Sequence, residues 1–218
     1  MKRITLFAGH YGSGKTNIAV NYALWLKSKG LDVMIADLDI VNPYFRTKDS
    51  ADELKDAGIE LISPAFANSN VDLPALPQET YKLVQDRTKY AVMDIGGDDR
   101  GAYALGRYTP YILEENNYEM VFVANFFRPL TKTAEEALEV MREIEVAGGL
   151  PFTAIVNNSN VGADTTAEDV LSTVDTVKRL SDISGLPVIM TTVSDDVFAE
   201  LNGRPDNTFS LSLQKKLF

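Results

Sequence analysis

An eight-residue segment near the start of the chain, Gly9–Thr16, has the composition and spacing of a phosphate-binding loop. Its sequence, GHYGSGKT, fits the pattern G-x-x-x-x-G-K-[ST] at every fixed position. In such a loop the glycines let backbone N–H groups curl around phosphate oxygens, the lysine supplies positive charge and the last hydroxyl can ligate Mg²⁺. The segment follows an apolar run that predicts a strand and precedes a stretch that predicts a helix, which is the position that a phosphate-binding loop requires. We therefore assign nucleotide binding to Gly12, Ser13, Gly14, Lys15, Thr16 and Asn17.

A second acidic segment lies further along the chain, where VMDIGG places Asp94 at the end of the apolar run YAVMDI and Gly96 and Gly97 follow that run. The carboxyl ends of parallel strands line one ligand crevice. We therefore expect Asp94 to face the same phosphates and to hold Mg²⁺ through water, together with Thr16. Gly97 would let a backbone N–H approach the terminal phosphate and sense its loss.

Two more carboxylates, Asp37 and Asp39, stand just past another apolar run in the segment ADLDIVNP. Hydrolysis of a terminal phosphate needs a group that orients the attacking water, and a carboxylate can accept that hydrogen bond. A cap and turn at a strand end would suit the same segment. We predict that Asp39, ahead of Asp37, orients the water, so that Lys15 and Asp39 are the predicted catalytic residues.

The placement of these residues depends on short apolar runs that alternate with helical patterns. Strands are predicted at Ile4–Ala8, Asp32–Ala36, Glu60–Ser63, Tyr90–Ile95, Met120–Asn125, Phe152–Asn157 and Pro187–Val193, and helices at Thr16–Lys29, Leu73–Arg87, Ala102–Glu114, Thr131–Ala147 and Thr166–Ser184. Continuous apolar strands separated by helices predict an α/β fold with a single doubly wound, mostly parallel sheet and helices on both faces. No linker or repeat interrupts the pattern, so we expect one P-loop nucleotide-binding domain over residues 1–218.

In order, GHYGSGKT, ADLDIVNP and MDIGG resemble the phosphate loop, first switch and second switch of MinD/ParA-like P-loop ATPases, the CobQ/CobB/MinD/ParA nucleotide-binding domain family. The resemblance spans nearly the whole chain, and the DLD and DIGG segments narrow it most. It implies that Asp39 activates water, that Asp94 holds magnesium through water and that Asn157 hydrogen-bonds the base. The chain departs from the family at His10, where members that form nucleotide-bridged dimers carry a lysine. Histidine is mostly neutral near pH 7, so it does not give the permanent positive charge that this lysine contributes to the partner's phosphates. Whether the chain forms a homodimer is therefore left undecided at this point.

The segment that follows the predicted strand Phe152–Asn157 bears on the choice of base. It reads Asn157-Asn158-Ser159-Asn160, whereas guanine-specific loops typically use N-K-x-D, whose carboxylate accepts two hydrogens from guanine. An asparagine amide offers only one acceptor oxygen, and the Asn157 amide can pair with the edge of adenine. We therefore predict ATP and ADP, with Mg²⁺, as the ligands.

Composition excludes several other classes. The formal net charge of −10 argues against general nucleic-acid binding, which depends on Lys and Arg, and the lack of cysteine excludes Cys-ligated zinc and iron–sulfur sites. Four arginines, Arg46, Arg100, Arg107 and Arg128, fall in predicted crevice loops, although each taken singly is more simply a solvated surface residue. No apolar run reaches the roughly 18 residues of a membrane span, and the tail 211–218 is short for a membrane anchor. We expect a cytoplasmic protein.

These observations favour a Mg²⁺-dependent ATP-binding protein and ATPase. Its switch loops would regulate or position a partner protein that docks on the switch face. Two alternatives stay open. One is an ATP-dependent metabolic synthetase or kinase of the dethiobiotin-synthetase or cobyrinate-amidase type. The other is a nucleotide-binding scaffold that does not hydrolyse its ligand.

Overall fold

The computed structural model describes residues 1–38, 50–62, 78–97, 99–201 and 205–212. Within these ranges, eight strands form a sheet in the order β3-β2-β4-β1-β5-β6-β7-β8, and all neighbours are parallel. The strands are β1 Ile4–Ala8, β2 Val33–Asp37, β3 Glu60–Ile62, β4 Tyr90–Asp94, β5 Tyr118–Ala124, β6 Ala154–Asn157, β7 Val188–Ser194 and β8 Thr208–Leu211. The predicted parallel α/β fold is confirmed, and β8 is a strand that the sequence pattern did not predict.

The helices connect successive strands. They are α1 Lys15–Ser28, α2 Ala51–Asp56, α3 Lys82–Gln85 after the 3-10 turn Gln78–Tyr81, α4 Asp99–Leu105, α5 Thr109–Glu115, α6 Ala134–Gly148, α7 Ala167–Ser172, α8 Val174–Ser184 and α9 Asp195–Glu200. The predicted helices Ala102–Glu114 and Thr166–Ser184 are each divided in two, and residues 73–77 of a third lie outside the described part. Within the described ranges, no helix combines the length and the apolar character that crossing a membrane requires.

Both faces of the sheet are buried, because successive side chains of a strand point to opposite sides. In β1, Leu6 belongs to a core cluster that includes buried residues of α3, α4, α5, α6 and α8, whereas its neighbour Phe7 belongs to the cluster that includes buried residues of α1 and α2. Two helical layers therefore enclose the sheet, as the apolar character of its strands predicts.

A buried arginine ties together the amino ends of the strands. Arg3, just before β1, donates from Nε and Nη2 to the two carboxylate oxygens of Glu115, both at 2.5 Å. Its Nη1 donates to the carbonyl oxygens of Leu83, Asp86 and Lys89 at 3.1–3.2 Å. This network lies at the edge of the sheet opposite the loop that follows β1.

Candidate functional site

The loop Gly9–Gly14 connects β1 to α1 at the carboxyl edge of the sheet. Inside it, the backbone N–H of Ser13 donates to His10 O at 3.1 Å, which closes a tight turn. Gly14 has a φ of +89°, and a Cβ added there would lie 2.2 Å from Nδ2 of Asn158. Glycine alone meets both conditions, so the loop conformation follows from the motif.

The polar groups of this loop are arranged to receive an anion. Gly14 is the N-cap of α1 and no side chain caps the helix, so its first N–H groups and the positive end of its dipole face the loop. Lys15 is buried, and its Nζ donates to His10 O at 3.4 Å. Ser13 Oγ is buried without a hydrogen-bond partner in the described part of the chain. Helix-terminal amides without a side-chain cap, an ammonium and a hydroxyl without a hydrogen-bond partner in the described part of the chain suit a ligand with several oxygens, such as a polyphosphate.

Thr16 and Asp94 meet directly in the structure. Thr16 lies in the first turn of α1 and Asp94 ends the adjacent strand β4, and the Thr16 Oγ1 hydroxyl donates to Asp94 Oδ2 at 2.5 Å. Asp94 is fully buried. Among the described residues, no three His, Asp or Glu side chains form a metal site by themselves. A cation here would therefore depend on this hydroxyl and carboxylate together with oxygens of the ligand, which is how Mg²⁺ is usually held beside phosphates.

Gly97 packs against the backbone of the phosphate-binding loop. A Cβ added to Gly97 would lie 2.2 Å from Gly9 O and 3.0 Å from both His10 C and Tyr11 N. The segment after β4 thus touches the loop after β1 with no room for a side chain. The predicted approach of Gly97 to the terminal phosphate stays a prediction, and this contact places its backbone beside the loop.

The two carboxylates after β2 differ in what the structure describes. Asp39 lies outside the described residues, so its role in orienting water stays a prediction. Asp37 is the last residue of β2, is buried, and stands in register with Asp94. The next backbone N–H, of Leu38, donates to Asp94 O at 2.8 Å. The chain therefore leaves β2 immediately beside the Thr16–Asp94 pair.

Asn157, the predicted base contact, is fully buried at the end of β6. Its Nδ2 donates to Thr173 Oγ1 at 3.0 Å, and its Oδ1 accepts from the N–H and the hydroxyl of Ser159 at 3.2 and 2.6 Å. A base could reach this amide only if the residues that enclose it moved aside, so its role stays a prediction that this geometry does not support. Asn160, three residues on, is partly exposed and donates to Asn158 O at 2.8 Å.

Asn158 is a site residue to which the sequence analysis gave no role. Its Nδ2 donates to Ser13 O at 2.6 Å, and its Oδ1 accepts from Thr192 Oγ1 at 2.7 Å. It therefore anchors the phosphate-binding loop to the ends of β6 and β7. The available signal was its position directly after a predicted strand, where the carboxyl edge begins.

Arg128 also contacts the loop, although the sequence analysis favoured a solvated surface position for it. Its Nε donates to Gly12 O at 3.0 Å. Because β5 is the neighbour of β1 in the sheet, the loop after β5 emerges beside the loop after β1. That adjacency could not be read from the spacing of residues along the chain.

A parallel α/β sheet whose central strand leads through a glycine-rich loop into a helix has the fold of P-loop nucleoside triphosphatases. The structure is similar to FtsY from Thermotoga maritima, with a TM-score of 0.65 and 16% identity over 89% of this chain and 63% of that one. It is also similar to FtsY from Mycoplasma mycoides (TM-score 0.62, 16% identity, 89% and 61% covered). A third similar structure is the signal recognition particle receptor FtsY from Elizabethkingia anophelis in complex with GDP (TM-score 0.56, 15% identity, 89% and 58% covered).

These similarities establish the fold. The chain spans about three fifths of the length of the FtsY chains that it matches. The sequence matches no protein-family model and no curated protein. FtsY is not a member of the MinD/ParA-like family that the motifs resemble, so the position of this chain within the P-loop class stays a proposal.

Proposed function

We propose that this chain binds a nucleoside triphosphate with Mg²⁺ at the Gly9–Thr16 loop and hydrolyses its terminal phosphate. The observation that carries the proposal is the direct bond between Thr16 Oγ1 and Asp94 Oδ2. A hydroxyl and a carboxylate from separate motifs converge at the N-terminus of α1, which is where a phosphate-bound cation would be held. We further propose that one nucleotide-binding domain spans residues 1–218, as in MinD/ParA-like ATPases.

Different residues of the loop would make different contacts with the nucleotide and its cation. The N–H groups of the first turn of α1 and the hydroxyl of Ser13 would hydrogen-bond phosphate oxygens, and Lys15 would neutralise part of their charge. Thr16 and Asp94 would hold Mg²⁺, which supplies charge neutralisation and polarises the terminal phosphoryl group when it is bound. Asn158 would keep the loop in the conformation that these contacts need.

Water activation is proposed for Asp39, because the chain leaves β2 beside Asp94 and Asp39 follows two residues after the last residue of that strand. Asp37 is the second candidate, since it already stands at that edge in register with Asp94. The alanine variants of Asp39 and Asp37 distinguish the two candidates, because only one of them lacks the carboxylate that orients the water. Replacing the water-orienting carboxylate by alanine slows hydrolysis by about 100-fold or more while nucleotide affinity stays within a few-fold.

ATP is the proposed nucleotide. The segment Asn157–Asn160 has asparagine where a guanine-reading loop has aspartate. An asparagine amide can pair with the N6/N7 edge of adenine, whereas the two donors of the guanine edge need two acceptor oxygens. The FtsY structure described with GDP is the specific observation in favour of a guanine nucleotide. Competition between ATP and GTP for the purified protein decides between them.

The switch segments would couple the nucleotide to a partner protein. Gly97 lies against the loop backbone, so a change at the terminal phosphate would be transmitted to α4, which begins two residues later. We propose that the partner docks on this switch face.

The test is the release of phosphate from ATP and from GTP, with Mg²⁺ or with a chelator, by the parent and by three variants. Lys15→Ala should reduce binding and hydrolysis at least tenfold, because a charged hydrogen bond to phosphate contributes about 1.5–3 kcal/mol. Asp39→Ala should bind but hydrolyse slowly. Lys178→Ala, which changes an exposed lysine of α8, is the matched control and should behave as the parent.

Parental hydrolysis in Lys15→Ala would refute the assignment of the loop. Binding without phosphate release in the parent would favour the scaffold alternative. Stimulation by an added small carboxylic acid would favour the metabolic enzyme.

A further inference from the structure

The guanidinium of Arg128 lies against the phosphate-binding loop. Its Nε donates to Gly12 O at 3.0 Å, and a Cβ built on Gly12 would be 3.4–3.7 Å from the Nε, Cζ and Cδ atoms of the same side chain. One of its five N–H groups is thus used on the loop itself. The four N–H groups of the two terminal nitrogens donate to no acceptor within the described residues.

The backbone that carries Arg128 is held by a short hydrogen-bonded turn. Arg128 N donates to Asn125 O at 3.1 Å, and Thr131 closes the turn from the other side through its N–H to Arg128 O at 3.1 Å and its hydroxyl to Asn125 O at 2.7 Å. The side chain of Asn125 is buried and accepts from the N–H groups of Phe127 and Asn160 at 3.0 and 3.3 Å. These hydrogen bonds therefore hold in place the backbone that carries the Arg128 side chain.

The charge of Arg128 lacks a carboxylate partner in the described part of the chain. There, Arg3, Arg87 and Arg179 form ion pairs with glutamates. Arg107 and Arg142 form none there either, but both are exposed, whereas Arg128 is half-buried against the loop of a chain that carries ten more acidic than basic residues. A cation without a carboxylate partner among the described residues, held against the loop that leads to Lys15 and the uncapped start of α1, is arranged for an anionic ligand. Arginine is particularly suited to phosphate because its planar donors match adjacent oxygens.

We infer that Arg128 is a phosphate-binding residue, which adds a second cation to Lys15 from the same chain and favours the triphosphate over the diphosphate. The inference rests on the proposed function of the loop. It assigns to this chain a positive charge at the loop that needs no partner subunit. His10, which follows the first glycine of the loop, does not supply a permanent one.

The experiment compares Mg²⁺–ATP and Mg²⁺–ADP affinities, measured by calorimetric titration, for the parent, Arg128→Gln, Arg128→Lys and the control Arg142→Gln. Glutamine can still donate to Gly12 O but is neutral, whereas lysine keeps the charge. We expect Arg128→Gln to weaken ATP binding about tenfold or more and ADP binding less. Arg128→Lys should keep most of the ATP affinity. Arg142, an exposed arginine of α6, should be replaceable within twofold, and thermal unfolding of each free variant checks that it is folded.

Each outcome has one meaning. Equal loss for ATP and ADP in Arg128→Gln would overturn the preference for the triphosphate, and with it the inference. Better binding by glutamine than by lysine would show that Arg128 only shapes the loop and would also overturn the inference. Unchanged affinities in both Arg128 variants would overturn it as well, while the proposed function stands. If the parent binds neither nucleotide, the proposed function fails and the inference fails with it.

Discussion

At the scale of single residues, the contact between Thr16 and Asp94 is the feature that most specifically indicates a cation site. The hydroxyl donates its hydrogen to the carboxylate, so its lone pairs remain available to a cation. Asp94 is buried and would carry its negative charge at low exposure to water. Such a carboxylate is stabilised by a nearby Mg²⁺ more strongly than an exposed one, because screening by water is reduced.

We predict that Asp94→Asn weakens the binding of nucleotide in Mg²⁺ and leaves binding in chelator unchanged. Asparagine keeps the size of the side chain and an oxygen that accepts from Thr16, but it loses the charge that holds the cation. A residue that supports a metal in this way typically contributes 10–100-fold to affinity or activity. Equilibrium titration with and without Mg²⁺ measures the effect, and Asp182→Asn at an exposed position of α8 is the control. Equal weakening in Mg²⁺ and in chelator would assign Asp94 to the fold instead.

The sequence predicted some of these residues and not others for a physical reason. Lys15, Thr16 and Asp94 lie at fixed distances from strand ends, and the geometry of a parallel sheet brings strand ends together. Asn158 and Arg128 act on loop carbonyls 145 and 116 residues away in the chain. Those contacts depend on the order of the strands and on side-chain direction, neither of which a single sequence displays.

At the scale of elements, the contact between the segment after β4 and the phosphate-binding loop is the one on which a switch would depend. We predict that Gly97→Ala forces the two segments apart, because the added methyl group would lie 2.2 Å from Gly9 O. Both backbones must shift, which we expect to reduce the free energy of unfolding by about 1–3 kcal/mol and to weaken nucleotide binding.

The matched control is Gly106→Ala, where the nearest atom to the added methyl, Tyr103 O, is 3.3 Å away. Urea unfolding and nucleotide titration on both variants measure the difference. If Gly97→Ala changed neither stability nor affinity relative to Gly106→Ala, the prediction would be wrong, because the close contact would then contribute to neither folding nor nucleotide binding.

Element boundaries show the same limit of sequence reasoning. The apolar strands were predicted because their runs are unbroken, whereas the helix predicted at Ala102–Glu114 is two helices. Pro110 lies in the first turn of α5, where its fixed φ and missing N–H favour a helix start, so that signal was present. β8 was missed because its four residues, TFSL, alternate polar and apolar types over a very short stretch, whereas the other strands were predicted from apolar runs.

At the scale of the whole molecule, the two edges of the sheet serve different purposes. The carboxyl edge gathers the glycines, the lysine and the acidic residues of the candidate site, at the start of a helix that no side chain caps. The amino edge gathers a buried ion pair, in which Arg3 satisfies Glu115 and three backbone carbonyl oxygens. Residues at the amino edge should therefore affect stability without affecting nucleotide binding.

We predict that Arg3→Met lowers the free energy of unfolding by about 3 kcal/mol, because removal of one partner leaves a buried carboxylate and several carbonyl groups unsatisfied. Glu115 is otherwise approached only at 3.9 Å, by the exposed Arg87, within the described residues. The double variant Arg3→Met/Glu115→Met should recover part of the loss, since it removes the stranded charge as well. Arg179→Met, which breaks an exposed pair with Glu135, should change stability by less than about 1 kcal/mol. Urea unfolding measures all three, and a loss no larger in Arg3→Met than in Arg179→Met would contradict the role of this pair. At temperatures where the variants are folded, their affinity for nucleotide should equal that of the parent, because the network stands at the opposite end of β1 from the loop that binds it.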